Sequence, residues 1–191
     1  YYTKEFISIT AQVGSEPARN AFLKARVLFT KDPEITEIVE RIPVFQQGEK
    51  EEKLLVFCAN LWLNASYFWG LRQESTYLKY KTAVEIVYCC YRIILQENEV
   101  LFPCNRNLER VVQNLTDKPH NITALADAFL ERMVTERLQG IVEATKGVSS
   151  FRGAEELDVR LTNCMVYYER WRSTEKRHCN ELSRTGNIAL L

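Results

Sequence analysis

Thr82-Ala-Val-Glu-Ile-Val-Tyr-Cys-Cys-Tyr-Arg-Ile-Ile-Leu-Gln96 is the stretch that decides the fold. Its only charges are Glu85 and Arg92. Wound as a helix, it places Val84, Val87, Tyr88, Tyr91, Ile94 and Leu95 on one side, and Ala83, Ile86, Cys90 and Ile93 on much of the other. A helix that is apolar nearly all round belongs at the centre of a bundle, because no face of it prefers water. The pattern predicts this helix over about Tyr77 to Asn98, with Pro103 closing the unit.

Working upstream, Leu54, Cys58, Leu61, Ala65 and Phe68 repeat at spacings of four and three, while Leu55, Trp62 and Trp69 repeat every seven. They predict a long amphipathic helix from about Glu49 to Glu74, with Gly70 as a kink. Gln46-Gln-Gly48 reads as a loop. Asp32-Pro33-Glu34 reads as a helix start: a capping Asp, a Pro suited to the first turn and an acid favoured by the dipole. That helix stops near Arg41, before Pro43. At the N-terminus, Phe6-Ile-Ser-Ile-Thr-Ala-Gln-Val13 alternates and is rich in β-branched residues, the pattern of a strand. Gly14-Ser-Glu-Pro17 breaks it, and Arg26-Val-Leu-Phe-Thr30 reads as a second short strand. Two isolated strands do not make a stable sheet. They read as the edge of a sheet whose remainder lies elsewhere, or as an appendage to a helical body.

Downstream, a short helix is expected over about Asn105 to Leu115, then a turn, Thr116-Asp-Lys-Pro-His-Asn121, in which Asn121 caps the next helix and His120 is exposed. The following helix is expected from about Ile122 to Lys146, on a stripe of Leu125, Phe129, Met133 and Leu138, with Gly147 just past its end. A last helix is expected over about Ala154 to Leu182, carrying Leu157, Leu161, Cys164, Met165 and Tyr168. The fold class is therefore mainly α: an antiparallel helical bundle of five or six helices with a short β-like N-terminal segment. The expected division is a β-like segment over 1–31, a helical bundle domain over 32–182 and a flexible tail over 183–191.

Composition agrees. Apolar residues make up 46% and charged residues 26% of 191 positions, enough to bury a core and too apolar for disorder. Lys plus Arg equals Asp plus Glu at 25 each, which argues against a bulk nucleic-acid binder. The six cysteines form no CxxC pair and only two histidines accompany them, so no structural zinc site is expected and the thiols read as buried and reduced. With neither a signal peptide at Tyr1 nor a run of ~20 apolar residues, the expected setting is cytoplasmic, with no membrane.

For chemistry, the sequence holds no Gly-rich phosphate loop, GxSxG, HExxH or Rossmann fingerprint, and no Asp-x-Asp pair after a Gly-Ser turn. Nucleotidyl transfer needs paired carboxylates to hold metal ions against a triphosphate. What stands out is one polar stripe on the apolar helix. Lys81, Glu85, Tyr88 and Arg92 share a face, so Lys81–Glu85 and Tyr88–Arg92 are expected neighbours. Such a stripe either lines a cleft for a substrate anion or sugar, or is a solvated edge or structural ion pair. Tyr67, Trp69, Arg72, Gln73, Tyr77, Lys79 and Tyr80 mix aromatics with cations at the adjoining corner. Near the C-terminus, Arg172-Ser-Thr-Glu-Lys-Arg-His178 sets an Arg a turn or two ahead of a His, the signature of HEPN-type RNases.

The order of features resembles the C-terminal helical domain of kanamycin-nucleotidyltransferase-like proteins. The likeness runs through Arg72-Gln-Glu-Ser-Thr76, Leu78-Lys-Tyr-Lys-Thr-Ala83 opening the apolar helix, Asn98-Glu-Val-Leu-Phe-Pro103 closing it, and Leu108-Glu-Arg110. Upstream, Ala25-Arg-Val-Leu-Phe29 and Asp32-Pro-Glu-Ile35 resemble the link between the catalytic sheet and helices in that family. The likeness covers about Ala25 to Thr145 and departs at Arg106-Asn107, where the family often has Lys-Trp after the Pro. It implies a substrate-binding domain that is not catalytically complete, with Mg2+ and a nucleoside triphosphate held by an N-terminal catalytic domain outside this sequence. It makes Arg72, Lys81, Glu85, Tyr88 and Arg92 the substrate-binding set, with Glu74 behind Glu85. It also makes Glu5, just ahead of the expected first strand, a match for the family's third carboxylate. The competing functions are a non-enzymatic helical interaction module acting as a homodimer, and a HEPN-type RNase.

Overall fold

The computed structural model describes residues 2–150. The expected last helix, the tail, and the Arg172 and His178 pair lie outside the described residues. Within them the chain is helical, and no strand occurs among the described residues. The helices are α1 (Lys4–Val13), α2 (Glu16–Asn20), α3 (Glu34–Arg41), α4 (Lys50–Leu63), α5 (Thr76–Glu97), α6 (Asn105–Gln113), α7 (Ile122–Glu131) and α8 (Thr135–Val148).

The apolar stretch behaves as its pattern requires. From Cys89 to Gln96 every residue of α5 is buried. Ser75 caps its start, its hydroxyl accepting from Leu78 N at 3.0 Å. Its end is a Schellman turn: Val100 N donates to Leu95 O (3.0 Å) and Glu99 N to Gln96 O (3.1 Å). Glu99 takes the left-handed conformation there (φ 57°), where glycine is usual. Asn98 ties this end to the next turn, donating to Asp117 O at 2.6 Å and accepting from Asp117 N at 3.2 Å.

α4 runs antiparallel to α5. Phe57 packs edge-on against Tyr88 with ring centroids 6.3 Å apart, and Asn60 donates to Cys89 Sγ at 3.3 Å. The irregularity expected at Gly70 lies earlier. α4 passes into a π-helical segment, Asn64–Phe68, beside the Asn64 side chain, which is turned back onto Asn60. α6, α7 and α8 close the bundle around α5. The single helix expected over 122–146 is two helices. Arg132 and Val134 are extended, and the Arg137 guanidinium donates to Ala128 O, which also accepts from Arg132 N, so a side chain of α8 ties down the end of α7. The break folds α7 and α8 into a hairpin, so that Phe129 and Ile141 both enter the core.

The expected first strand is a helix. Thr3 caps α1 through its hydroxyl, which accepts from Phe6 N at 3.1 Å, and Glu5 sits in the favoured first turn. Ser8 and Thr10 donate back to Lys4 O and Phe6 O, both at 2.8 Å, so their hydroxyls are satisfied without a sheet. Ile7 and Thr10 lie three apart and share the buried face. In so short a window the same residues fit both periods, and packing decides. The second expected strand has no regular structure, and Leu28 (94% exposed) and Phe29 (80%) stand in solvent.

Two hydrophobic clusters result among the described residues. The large one surrounds α5. The small one joins Ile7 of α1 to Ile38 and Ile42 on and beyond α3, with Phe6, Phe22 and Val39 at its rim. α3 therefore packs on α1, although its sequence position placed it with the bundle. The α1–α2 corner is tight: a Cβ on Gly14 would lie 2.4 Å from Thr10 O, so only glycine fits.

Candidate functional site

The four residues of the polar stripe divide into two sites. At the N-terminal half of α5 the helix is open. Tyr77, Tyr80 and Lys81 are exposed, and Val84, in the middle of the decisive stretch, is 56% exposed. Glu85 follows, half-buried, and its Oε2 is shielded from water without a hydrogen-bond partner among the described residues. Lys81 makes no ion pair with it among the described residues. A shielded carboxylate oxygen with no donor is costly, and it attracts whatever cation or hydroxyl reaches it.

At the other half the stripe is closed. Arg92 is 1% exposed and does not line an opening, which corrects its expected place in the substrate-binding set. Its Nη2 donates to Glu16 Oε2 at 3.1 Å, and its Nη1 to the Tyr88 hydroxyl at 2.7 Å. The guanidinium lies between the rings of Phe57 (4.3 Å) and Phe102 (4.2 Å), whose negative faces favour a cation. Glu16 Oε1 pairs with Lys53 Nζ at 2.7 Å and accepts from Gln96 Nε2 at 3.2 Å, while Oε2 also accepts from Phe102 N at 2.8 Å. Burial alone would raise the Glu16 carboxyl; Arg92, Lys53 and the two hydrogen bonds outweigh it and hold it below its ordinary value. Lys53 is shared with Glu49 at 2.8 Å. The expected Tyr88–Arg92 contact is present, but it belongs to this enclosed network.

Glu16, Lys53 and Gln96 were not among the residues expected to matter. Glu16 reads in sequence as part of a chain break. One signal pointed to it: Arg92 and Gln96, one turn apart in an otherwise greasy segment, demand a buried carboxylate from elsewhere.

The remaining candidates lie outside both sites. Glu5 is exposed in the first turn of α1, and the strand it was to precede is absent, so its match to a third carboxylate loses its setting. Arg72 stacks on Trp69 (4.4 Å) and donates to Trp69 O at 2.7 Å, closing the helix end. Glu74 and His120 are exposed. Burial pushes the Cys58 and Cys90 thiols up to about 12 and Cys89 well above its ordinary value, so these are packing groups rather than nucleophiles. A groove of about 510 Å³ between α4 and α8, lined by Cys58, Leu61, Trp62, Leu138 and Val142, is mostly apolar and contains no residue of the stripe.

Among the described residues no three His, Cys, Asp or Glu side chains converge as a metal site. No helix among them is long and apolar enough to cross a membrane. No protein-family model matches the sequence, and neither a curated protein nor a solved structure does.

Proposed function

We propose that this chain is the acceptor-binding helical part of a cytoplasmic nucleotidyltransferase-like protein, with the nucleotide and its Mg2+ held by a catalytic domain outside this sequence. The observation that carries the reading is Glu85 Oε2: a shielded, unpartnered carboxylate oxygen on the open half of the central helix. An amine or hydroxyl of an acceptor supplies the missing donor, and Tyr77, Tyr80 and Val84 give its apolar ring atoms a shelf. Lys81, at the exposed rim, suits a phosphate oxygen arriving from the nucleotide side. Arg72 supports the corner through Trp69.

The test is calorimetric titration of the chain and Glu85→Gln with a polyamine and with an aminocyclitol. A hydrogen bond to a charged partner contributes ~1.5–3 kcal/mol, so Glu85→Gln should weaken binding by roughly 10–100-fold. Equal affinities for parent and variant would remove the reading.

Exposed Leu28 and Phe29 favour a second reading, a non-enzymatic interaction module. Light scattering separates the two. A dimer that persists on dilution and binds neither amine nor nucleotide selects the module.

A further inference from the structure

Four donors converge on one carboxylate. Lys53 Nζ, Arg92 Nη2, Gln96 Nε2 and Phe102 N lie 2.7–3.2 Å from the two oxygens of Glu16. All four belong to α4, α5 and the turn after α5, whereas Glu16 alone arrives from α2. The donors are held without its help. Arg92 is clamped by Phe57 and Phe102 and tethered to the Tyr88 hydroxyl. Phe102 in turn meets Tyr88 edge-on at 5.9 Å. Lys53 is held by Glu49, and Gln96 lies in the fully buried half of α5. Pre-set donors in a dry site are what an oxyanion pocket requires.

The charges agree. Lys53 and Arg92 bring two positive charges, Glu49 and Glu16 two negative. When α2 withdraws it takes both Glu16 and its neighbour Arg19, and among these groups Lys53 and Arg92 are left facing Glu49, an excess of cationic donors that suits a small anion. The piece that carries Glu16 is small. α2 has five residues, and its further direct hydrogen bond to the region after α5 runs from Asn20 Nδ2 to Leu101 O at 3.3 Å. The hydrophobic cluster of α1 and α3 is separate from that of the bundle.

We infer that the bundle carries an oxyanion-binding site which Glu16 fills in cis, and that a small carboxylate or phosphate monoanion occupies it when α2 withdraws. Docking of the N-terminal helices and oxyanion binding are then mutually exclusive. The inference is independent of the acceptor reading, because it uses the opposite half of α5.

Chemical rescue in the full chain tests it. Glu16→Ala vacates the pocket and is unfolded thermally at pH 7 in formate, inorganic phosphate or chloride at matched ionic strength. Formate and phosphate should each restore about half or more of the lost Tm, with saturation, because a ligand that binds only the folded state stabilises it by mass action. Chloride should not, and Glu16→Ala combined with Arg92→Met should respond to none. Rescue by formate alone assigns the site to carboxylates, and rescue by phosphate alone to phosphoryl groups. Equal response to all three salts, or none, overturns the inference. If Glu16→Ala does not fold in chloride, its refolding yield in formate and phosphate replaces Tm as the readout, with the isosteric Glu16→Gln as a folded control that neither anion should stabilise specifically. No gain in yield overturns the inference equally.

Discussion

The two halves of α5 carry the same kind of sequence, greasy residues interrupted by one polar stripe, and meet opposite surroundings. The C-terminal half, around Arg92, is enclosed by α4, α2 and the turn after α5. The N-terminal half, around Glu85, is open, with Val84, Tyr77 and Tyr80 in solvent. The difference shows that a stripe on one helix specifies which groups are neighbours but not which face water. A five-residue helix from far upstream decides that, by bringing one carboxylate.

The largest test of the comparison is Arg92→Met. It strips Glu16 of one of its two ion-pair partners and leaves the buried carboxylate with Lys53 and two neutral donors, Gln96 and Phe102 N, and breaking a buried pair in this way costs ~3–5 kcal/mol. Urea unfolding measures it, and a loss below about 1 kcal/mol would mean the network is not closed. Replacing both Glu16 and Arg92 by apolar residues should be milder than the single change, because no charge is then stranded.

Glu16→Gln comes next, at roughly 1–3 kcal/mol at pH 7. It also fixes the pH dependence. The folded Glu16 carboxyl lies below its ordinary 4.5, so the folded state binds its proton less readily than the unfolded chain. Its stabilising contribution is therefore full above the unfolded value and is lost as pH falls through the lower folded value. The groups facing it are Arg92 and Gln96 on α5, Lys53 on α4 with Glu49 behind it, and Arg19 on its own helix. Parent stability should drop below about pH 4.5, and Glu16→Gln should flatten that limb. Parallel acid limbs in the two proteins would contradict the assignment.

Much of this architecture is legible from spacing. α5 falls within a residue or so of its expected bounds, and α3 and α6 start where their capping and turn residues place them, because period and punctuation agree there. Residues 6–13 mislead because Ile7, Ile9 and Val13 alternate while Ile7 and Thr10 also fit one helical face. Only the Ile38 and Ile42 surface they pack on selects the helix. The α7–α8 break is hidden because no Gly or Pro marks Arg132–Val134, and the side chain that ties the two helices together, Arg137 donating to Ala128 O, leaves no spacing signal. At the site, spacing joins Tyr88 to Arg92, but it also pairs Lys81 with Glu85, which make no ion pair among the described residues. It cannot supply Glu16, whose contact spans 76 residues.

Smaller effects sharpen the open half. Glu85→Gln should leave stability unchanged or raise it by up to about 1 kcal/mol, because it relieves a shielded charge, while weakening amine binding, the reverse of Arg92→Met. Val84→Ala should be neutral or stabilising by a few tenths of a kcal/mol, since a β-branched residue that is more than half exposed lowers helix propensity and buries little. A loss above about 1 kcal/mol in chemical unfolding would mean that something covers Val84.

The division of α5 into a ligand-facing half and a structural half is tested most directly by amide chemical-shift mapping as a polyamine is titrated into the full chain. Saturable shifts clustered over Tyr77–Tyr88, with Ile93–Gln96 and Glu16 undisturbed, are the predicted result. Shifts centred on Arg92 and Glu16, or spread evenly over the exposed carboxylates, would contradict it.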